Sequence, residues 1–93
     1  MTLIQLKYIL TIVETKSLNK AAEQLYVSQP SLTNALKELE KEIGITIFFR
    51  SGRGVTLTND GVEFLTYARE LYHEYEQLLH RYTEGSSYKK KFA

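Results

Sequence analysis

The 93-residue chain predicts a mainly α-helical domain in which three helices are followed by a two-stranded hairpin and one long final helix. Three observations carry that expectation. Apolar residues recur at three- and four-residue spacing from Leu3 to Ile43 and again from Val62 to Tyr82. Between them, from Ile45 to Leu57, β-branched and aromatic residues crowd around Ser51-Gly52-Arg53-Gly54. A serine or threonine stands ahead of each helical stretch, where its hydroxyl can accept a free backbone N–H.

Taken in order, Thr2 caps a first helix whose face is Leu3, Leu6, Ile9, Leu10 and Val13, ending near Thr15. Ser17 caps a second, with Leu18, Ala21, Ala22 and Leu25 as its stripe. After Tyr26-Val27, Ser28 caps a third, and Pro30 falls in its first turn, where a missing N–H costs nothing. Leu32, Ala35, Leu36, Leu39 and Ile43 form its buried face, and Gly44 suits a left-handed stop. Ile45 to Arg50 and Val55 to Leu57 read as two strands of a small wing. Thr58 then caps a long helix from about Asn59 to Tyr82, and Glu84-Gly85-Ser86-Ser87 ends it. Leu6, Leu10, Leu25, Leu36, Leu39 and Phe48 are expected to fill the core, leaving no cavity of the ~300 Å³ that a ligand site needs. Two short helices joined by a tight turn, the second opening Ser-x-Pro, read as a helix-turn-helix, and the whole as a winged helix-turn-helix followed by a long dimerisation or linker helix.

Composition narrows the function. Hydrophobic residues make up 43% and charged residues 25%, as in a folded domain. A chain this short holds one domain, too small for two lobes around a catalytic cleft. It buries only about 60–65% of its unfolded surface, so a partner chain matters to it. The absence of cysteine excludes disulfides and thiolate metal sites and fits a reducing compartment. Apolar runs fall far short of the ~20 residues of a membrane span. Met1-Thr2-Leu3-Ile4-Gln5-Leu6-Lys7 lacks the features of a signal peptide. A cytoplasmic protein with no membrane partner is expected. Residues 1–58 carry seven Lys/Arg against five Asp/Glu, and residues 59–93 five against six. A nucleic-acid reading therefore rests on where the bases sit, not on their number.

Ala21-Ala22-x-x-Leu25-x-x-Ser28-Gln29-Pro30-Ser31-Leu32-Thr33, Leu39-Glu40-x-x-Ile43-Gly44-x-x-Ile47-Phe48-x-Arg50-x-x-Arg53 and Leu57-Thr58-x-x-Gly61 resemble the DNA-binding domain of LysR-type transcriptional regulators. The likeness runs without a gap from about Leu3 to Ala68 and passes into the long linker helix of that family. Ser31, Asn34 and Leu36 stand where the family more often has alanine, a longer polar residue and isoleucine. The resemblance implies a sequence-specific DNA-binding domain that acts as a homodimer on a two-fold symmetric operator. It also implies three segments: a winged helix-turn-helix at 1–58, a linker and dimerisation helix at 59–84, and a tail at 85–93 leading to an effector-binding domain through which a small molecule would act.

The site residues follow from the same helix. With Leu32 at zero, Leu36, Leu39 and Ile43 lie within about 40°, while Pro30, Thr33, Asn34, Lys37 and Lys41 fall on the roughly opposite arc. Gln29 and Asn34 are the expected base readers, because an amide can pair with adenine N6 and N7. Thr33 would offer its hydroxyl to a phosphate or its methyl to thymine. Pro30 fixes the helix start and packs against the groove wall. Ser17, Lys20, Ser28, Ser31 and Lys37 are expected at phosphates, although capping alone explains Ser17 and Ser28, and solvation the two lysines. Arg53, at the wing tip between two glycines, suits the minor groove; its plainer reading is a flexible surface arginine. Arg50 either touches phosphate or anchors the wing by pairing with a carboxylate such as Glu40.

In the long helix Leu65, Tyr72 and Leu79 recur every seven residues, as do Ala68, Tyr75 and Tyr82, with Leu71 and Leu78 alongside. The first turns (Val62, Phe64, Leu65) are expected against the first helix. The remaining seam calls for a second copy of the chain. His73 and His80, two turns apart, are too far from each other to chelate one ion comfortably, so no metal or cofactor is expected. The rival to DNA binding is a winged-helix module for protein–protein contact, which the polar Gln29–Asn34 face disfavours. An enzyme is not expected.

Overall fold

The computed structural model describes residues 1–83; the tail expected at 85–93 lies outside them. Four helices, α1 (Leu3–Thr15), α2 (Leu18–Leu25), α3 (Gln29–Ile43) and α4 (Asn59–Thr83), are joined by a hairpin of β1 (Phe48–Ser51) and β2 (Gly54–Leu57) between the last two. Each helix begins where a hydroxyl is available. The Thr2 hydroxyl accepts the Gln5 N–H while the Gln5 amide oxygen accepts the Thr2 N–H, a reciprocal pair that satisfies two free donors. Ser17 and Ser28 accept from Lys20 and Ser31, both at 3.2 Å. The first three helices stop in left-handed conformations at Lys16, Tyr26 and Gly44. Only the last is the glycine such a turn favours.

The strands pair antiparallel with Ser51 opposite Gly54, so Gly52-Arg53 form a two-residue loop. β1 starts at Phe48, not at Ile45 as expected. The three residues before it have no strand opposite them, because β2 ends at Leu57 and the chain turns into α4. Thr58 takes over: its N–H donates to the Ile47 carbonyl at 2.9 Å, its hydroxyl donates to the Thr46 carbonyl, and its oxygen accepts the Gly61 N–H at 2.8 Å. A Cβ at Gly61 would overlap the Ile47 carbonyl oxygen, so only glycine lets α4 approach this closely. The Glu40 carboxylate closes the other side, accepting the N–H groups of Ile47 at 2.6 Å and Phe48 at 3.4 Å.

The core differs from the expected set in two members. Leu6, Leu36, Leu39 and Phe48 are buried, but Leu10 and Leu25 are only half-buried, and Ile9, Ile12, Leu32 and Ile47 are enclosed completely or nearly so. Ile12 lies off the single stripe assigned to α1, yet it is fully buried because α1 packs against α2, α3, β2 and α4 at once. Within α4, Leu65 is buried by the chain itself, as expected of the first turns, and so is Ala68, which corrects the assignment of Ala68 to the partner-facing seam. Val62, expected against α1, instead faces solvent. Ala68 is the last buried residue of α4 among those described, Tyr72 still walls a groove against α1, and the molecule measures 53 × 25 × 20 Å.

Candidate nucleic-acid interface

The N-terminus of α3, the N-terminus of α2 and the wing converge on one open cleft of about 390 Å³. Ser17, Asn19, Gln29, Arg50, Arg53 and Gly54 are among its walls. Both arginines are exposed, and among the described residues no carboxylate lines the cleft. Lys20, in the first turn of α2 next to Asn19, is exposed. The acidic end of α3 points elsewhere: Glu38 and Glu42 are exposed further along the helix, and Glu40 is turned in to the Ile47 and Phe48 amides. The cleft is therefore cationic although the chain as a whole is nearly neutral.

The start of α3 is ordered by its own side chains. The Ser28 hydroxyl accepts the Ser31 N–H and donates to the Ser31 hydroxyl at 2.8 Å. Pro30, Ser31, Asn34 and Lys37 are exposed along one side of the helix and Gln29 is half-buried at its edge. Thr33 is not on that side. It is only 9% exposed, and its hydroxyl is enclosed without a hydrogen-bond partner. At 100° from Leu32 it sits on the flank of the helix, where neighbouring packing decides, and the expectation that its hydroxyl faces outward is corrected. The Arg50–Glu40 pairing also fails, since that carboxylate is taken by backbone amides. Asn19 escaped the sequence reading. Its place beside Lys20 in the first, capped turn of α2 was the available signal.

Away from the cleft, α4 presents Leu71, Leu78, Leu79 and Tyr82, between 44% and 60% exposed. Tyr72 and Tyr75 are half-buried beside them with ring centroids 5.4 Å apart. Burial, reinforced by the Glu76 and Tyr75 charges, pushes the Tyr72 phenol above its ordinary pKa. His73 pairs with Gln77 through its ring Nε2, at 3.1 Å. A groove of about 640 Å³ between α1 and α4, walled by Lys7, Leu10, Glu14, Arg69 and Tyr72 among others, adjoins this stripe.

Residues 3–62 match the family model described as the bacterial regulatory helix-turn-helix protein, lysR family. The chain belongs to the LysR family. Among its relatives, the HTH-type transcriptional regulator BsdA of Bacillus subtilis (strain 168) is 39% identical over 77 residues, covering 82% of this chain and 27% of that protein. The regulator CitR of the same organism is 41% identical over 80 residues, covering 83% and 28%. The LysR-family segment in hand thus spans little more than a quarter of these regulators. Among solved structures, the BenM DNA-binding domain in complex with catB site 1 DNA superposes with a TM-score of 0.84 at 34% identity, covering 94% of this chain and 98% of that one. The CbnR DNA-binding domain in complex with DNA gives 0.82 at 34% identity, with 92% and 99% covered. Full-length CbnR, a LysR family transcriptional regulator, gives 0.82 at 34% identity, but only 29% of it is covered. The four helices and antiparallel wing are those of LysR DNA-binding domains.

Proposed function

We propose that the chain is the DNA-binding part of a LysR-type transcriptional regulator and binds a two-fold symmetric operator as a homodimer. The observation that carries this reading is the cationic, carboxylate-free cleft flanked by the exposed polar side of α3. The likeness to two domains solved on DNA supports it. In this reading α3 enters the major groove, with Gln29 and Asn34 on base edges and Pro30 against the groove wall. Ser17, Lys20, Ser28, Ser31, Lys37 and Arg50 meet phosphates, and Arg53 reaches the minor groove.

The homodimer forms through α4. Leu71, Leu78, Leu79 and Tyr82 are about half exposed in the single chain. Burying four such side chains contributes roughly 1.5–3 kcal/mol each before ordering costs, enough for association at micromolar concentration. Arg69 and Glu76 stand seven residues apart on one flank of the stripe, so antiparallel helices would bring each to the other's counterpart. Regions 1–58 and 59–84 would then divide the work between reading DNA and pairing. Response to a small molecule belongs to the part of the longer relatives that this chain does not match.

Selection of bound sequences from random duplex DNA tests the reading directly. The expected result is an enriched inverted repeat with half-sites about one helical turn, or a multiple of it, apart. Recovery of no enriched motif, with binding governed by salt alone, would overturn it.

A further inference from the structure

We propose that Gly54 is a positioning residue for Arg53: the wing is seated on the Lys16 carbonyl, and only glycine at position 54 allows that seating. The inference rests on the minor-groove role proposed for Arg53. Gly54 has φ 128°, a conformation that L side chains rarely adopt. A Cβ built on it would overlap the Lys16 carbonyl oxygen, a backbone atom that cannot swing aside. The same oxygen accepts the Val55 N–H at 3.3 Å. Lys16 is itself held in place, left-handed at φ 57°, with its own N–H bonded to the Ile12 carbonyl at 2.8 Å at the end of the buried helix α1.

The seat is therefore continuous with the core. Ile12 is fully buried, Lys16 closes its helix, and Ser17 immediately caps α2, whose first turn walls the same cleft. Arg53 is bonded directly to Gly54, so any displacement of Gly54 from the seat moves the Arg53 backbone with it. Gln29 and Asn34 lie on a different element and are left where they were. Gly52 supplies an internal contrast. It also adjoins Arg53, yet a Cβ there meets nothing within 4 Å. One glycine beside the arginine is dictated by close approach and the other is not.

The experiment is a binding series at fixed salt on the selected operator with A·T-rich or G·C-rich flanks, using the wild-type chain, G52A, G54A, R53A and the R53A/G54A double variant. Wild type and G52A are expected to prefer A·T flanks by at least about fivefold. In G54A, R53A and the double variant that preference is expected to fall below about twofold, with the double variant no worse than R53A. Preference at the base pairs read from α3 is expected to persist in all five. Wild-type flank preference retained by G54A, or losses that add in the double variant, would overturn the proposal. A wild-type chain with sequence preference but no flank preference would instead sink the role of Arg53 on which it rests. If G54A does not fold, replacing the Val55 amide by an ester removes the N–H to Lys16 without adding an atom. The same loss of flank preference is then expected, and its retention overturns the proposal.

Discussion

Gln29 and Asn34 carry the same chemistry at different exposure, half-buried at the helix edge and exposed further along. Truncating either to alanine is expected to weaken binding to the selected operator by about 1–3 kcal/mol and to relax preference at particular base pairs. Equal losses on operator and random DNA would reduce them to backbone contacts. Thr33 leads to the opposite expectation. Its hydroxyl is buried and unpartnered, and such a group costs about 1–3 kcal/mol. Thr33→Val, which keeps the shape and deletes the hydroxyl, should raise the unfolding midpoint in urea and leave operator affinity unchanged. A drop in affinity would show that DNA reaches the hydroxyl after all. Helical arithmetic was sufficient for Asn34 and Lys37, near the centre of the outward arc. It failed for Thr33, because a residue at the border between faces is assigned by what packs beside it, and angle alone carries no such information.

At the scale of elements, the joint between α3, the wing and α4 is held by side-chain oxygens on backbone groups. Glu40 serves the two amides at the entry to β1, those of Ile47 and Phe48, and Thr58 ties the same stretch from the other side. Glu40→Ala is expected to destabilise the chain by about 1–3 kcal/mol, since half-buried amides lose a charged acceptor. Arg50→Ala should change stability by less than about 0.5 kcal/mol while weakening DNA binding. Parallel denaturant titrations decide between them, and a large loss from Arg50→Ala would restore it as the wing's anchor. The helix limits were legible because Thr2, Ser17, Ser28 and Gly44 announce them chemically. The start of β1 was not, since Ile45 and Ile47 have strand-like side chains but nothing to pair with. The Leu57-Thr58-x-x-Gly61 pattern was recognisable in the sequence, yet its cause lies in the Ile47 carbonyl that Thr58 grips and Gly61 approaches.

For the whole molecule, the heptad pattern in α4 was legible, but where it leaves the body was not. That depends on how far α1 reaches along it: burial ends at Ala68, and Tyr72 and Glu76 still wall a groove against α1. Leu79 is exposed in the single chain, so Leu79→Asp should leave the thermal unfolding of an isolated protomer nearly unaltered. In sedimentation it is expected to shift the population from dimer toward monomer. A wild-type chain that sediments as a monomer at high concentration would refute pairing through α4. The clasp at Thr58 and Gly61 has a mechanical meaning in such a pair. Thr58 and Gly61 tie the base of α4 to the Ile47 carbonyl, and the helix extends some 37 Å from there. A sideways shift of about 3 Å at its far end becomes a rotation of roughly 5° at its base. Tied to the same stretch through Glu40 and Thr58, the wing and α3 would follow that rotation together. Torque applied at the far end of α4 would therefore reach the DNA as a change in the angle between two reading heads, each undeformed.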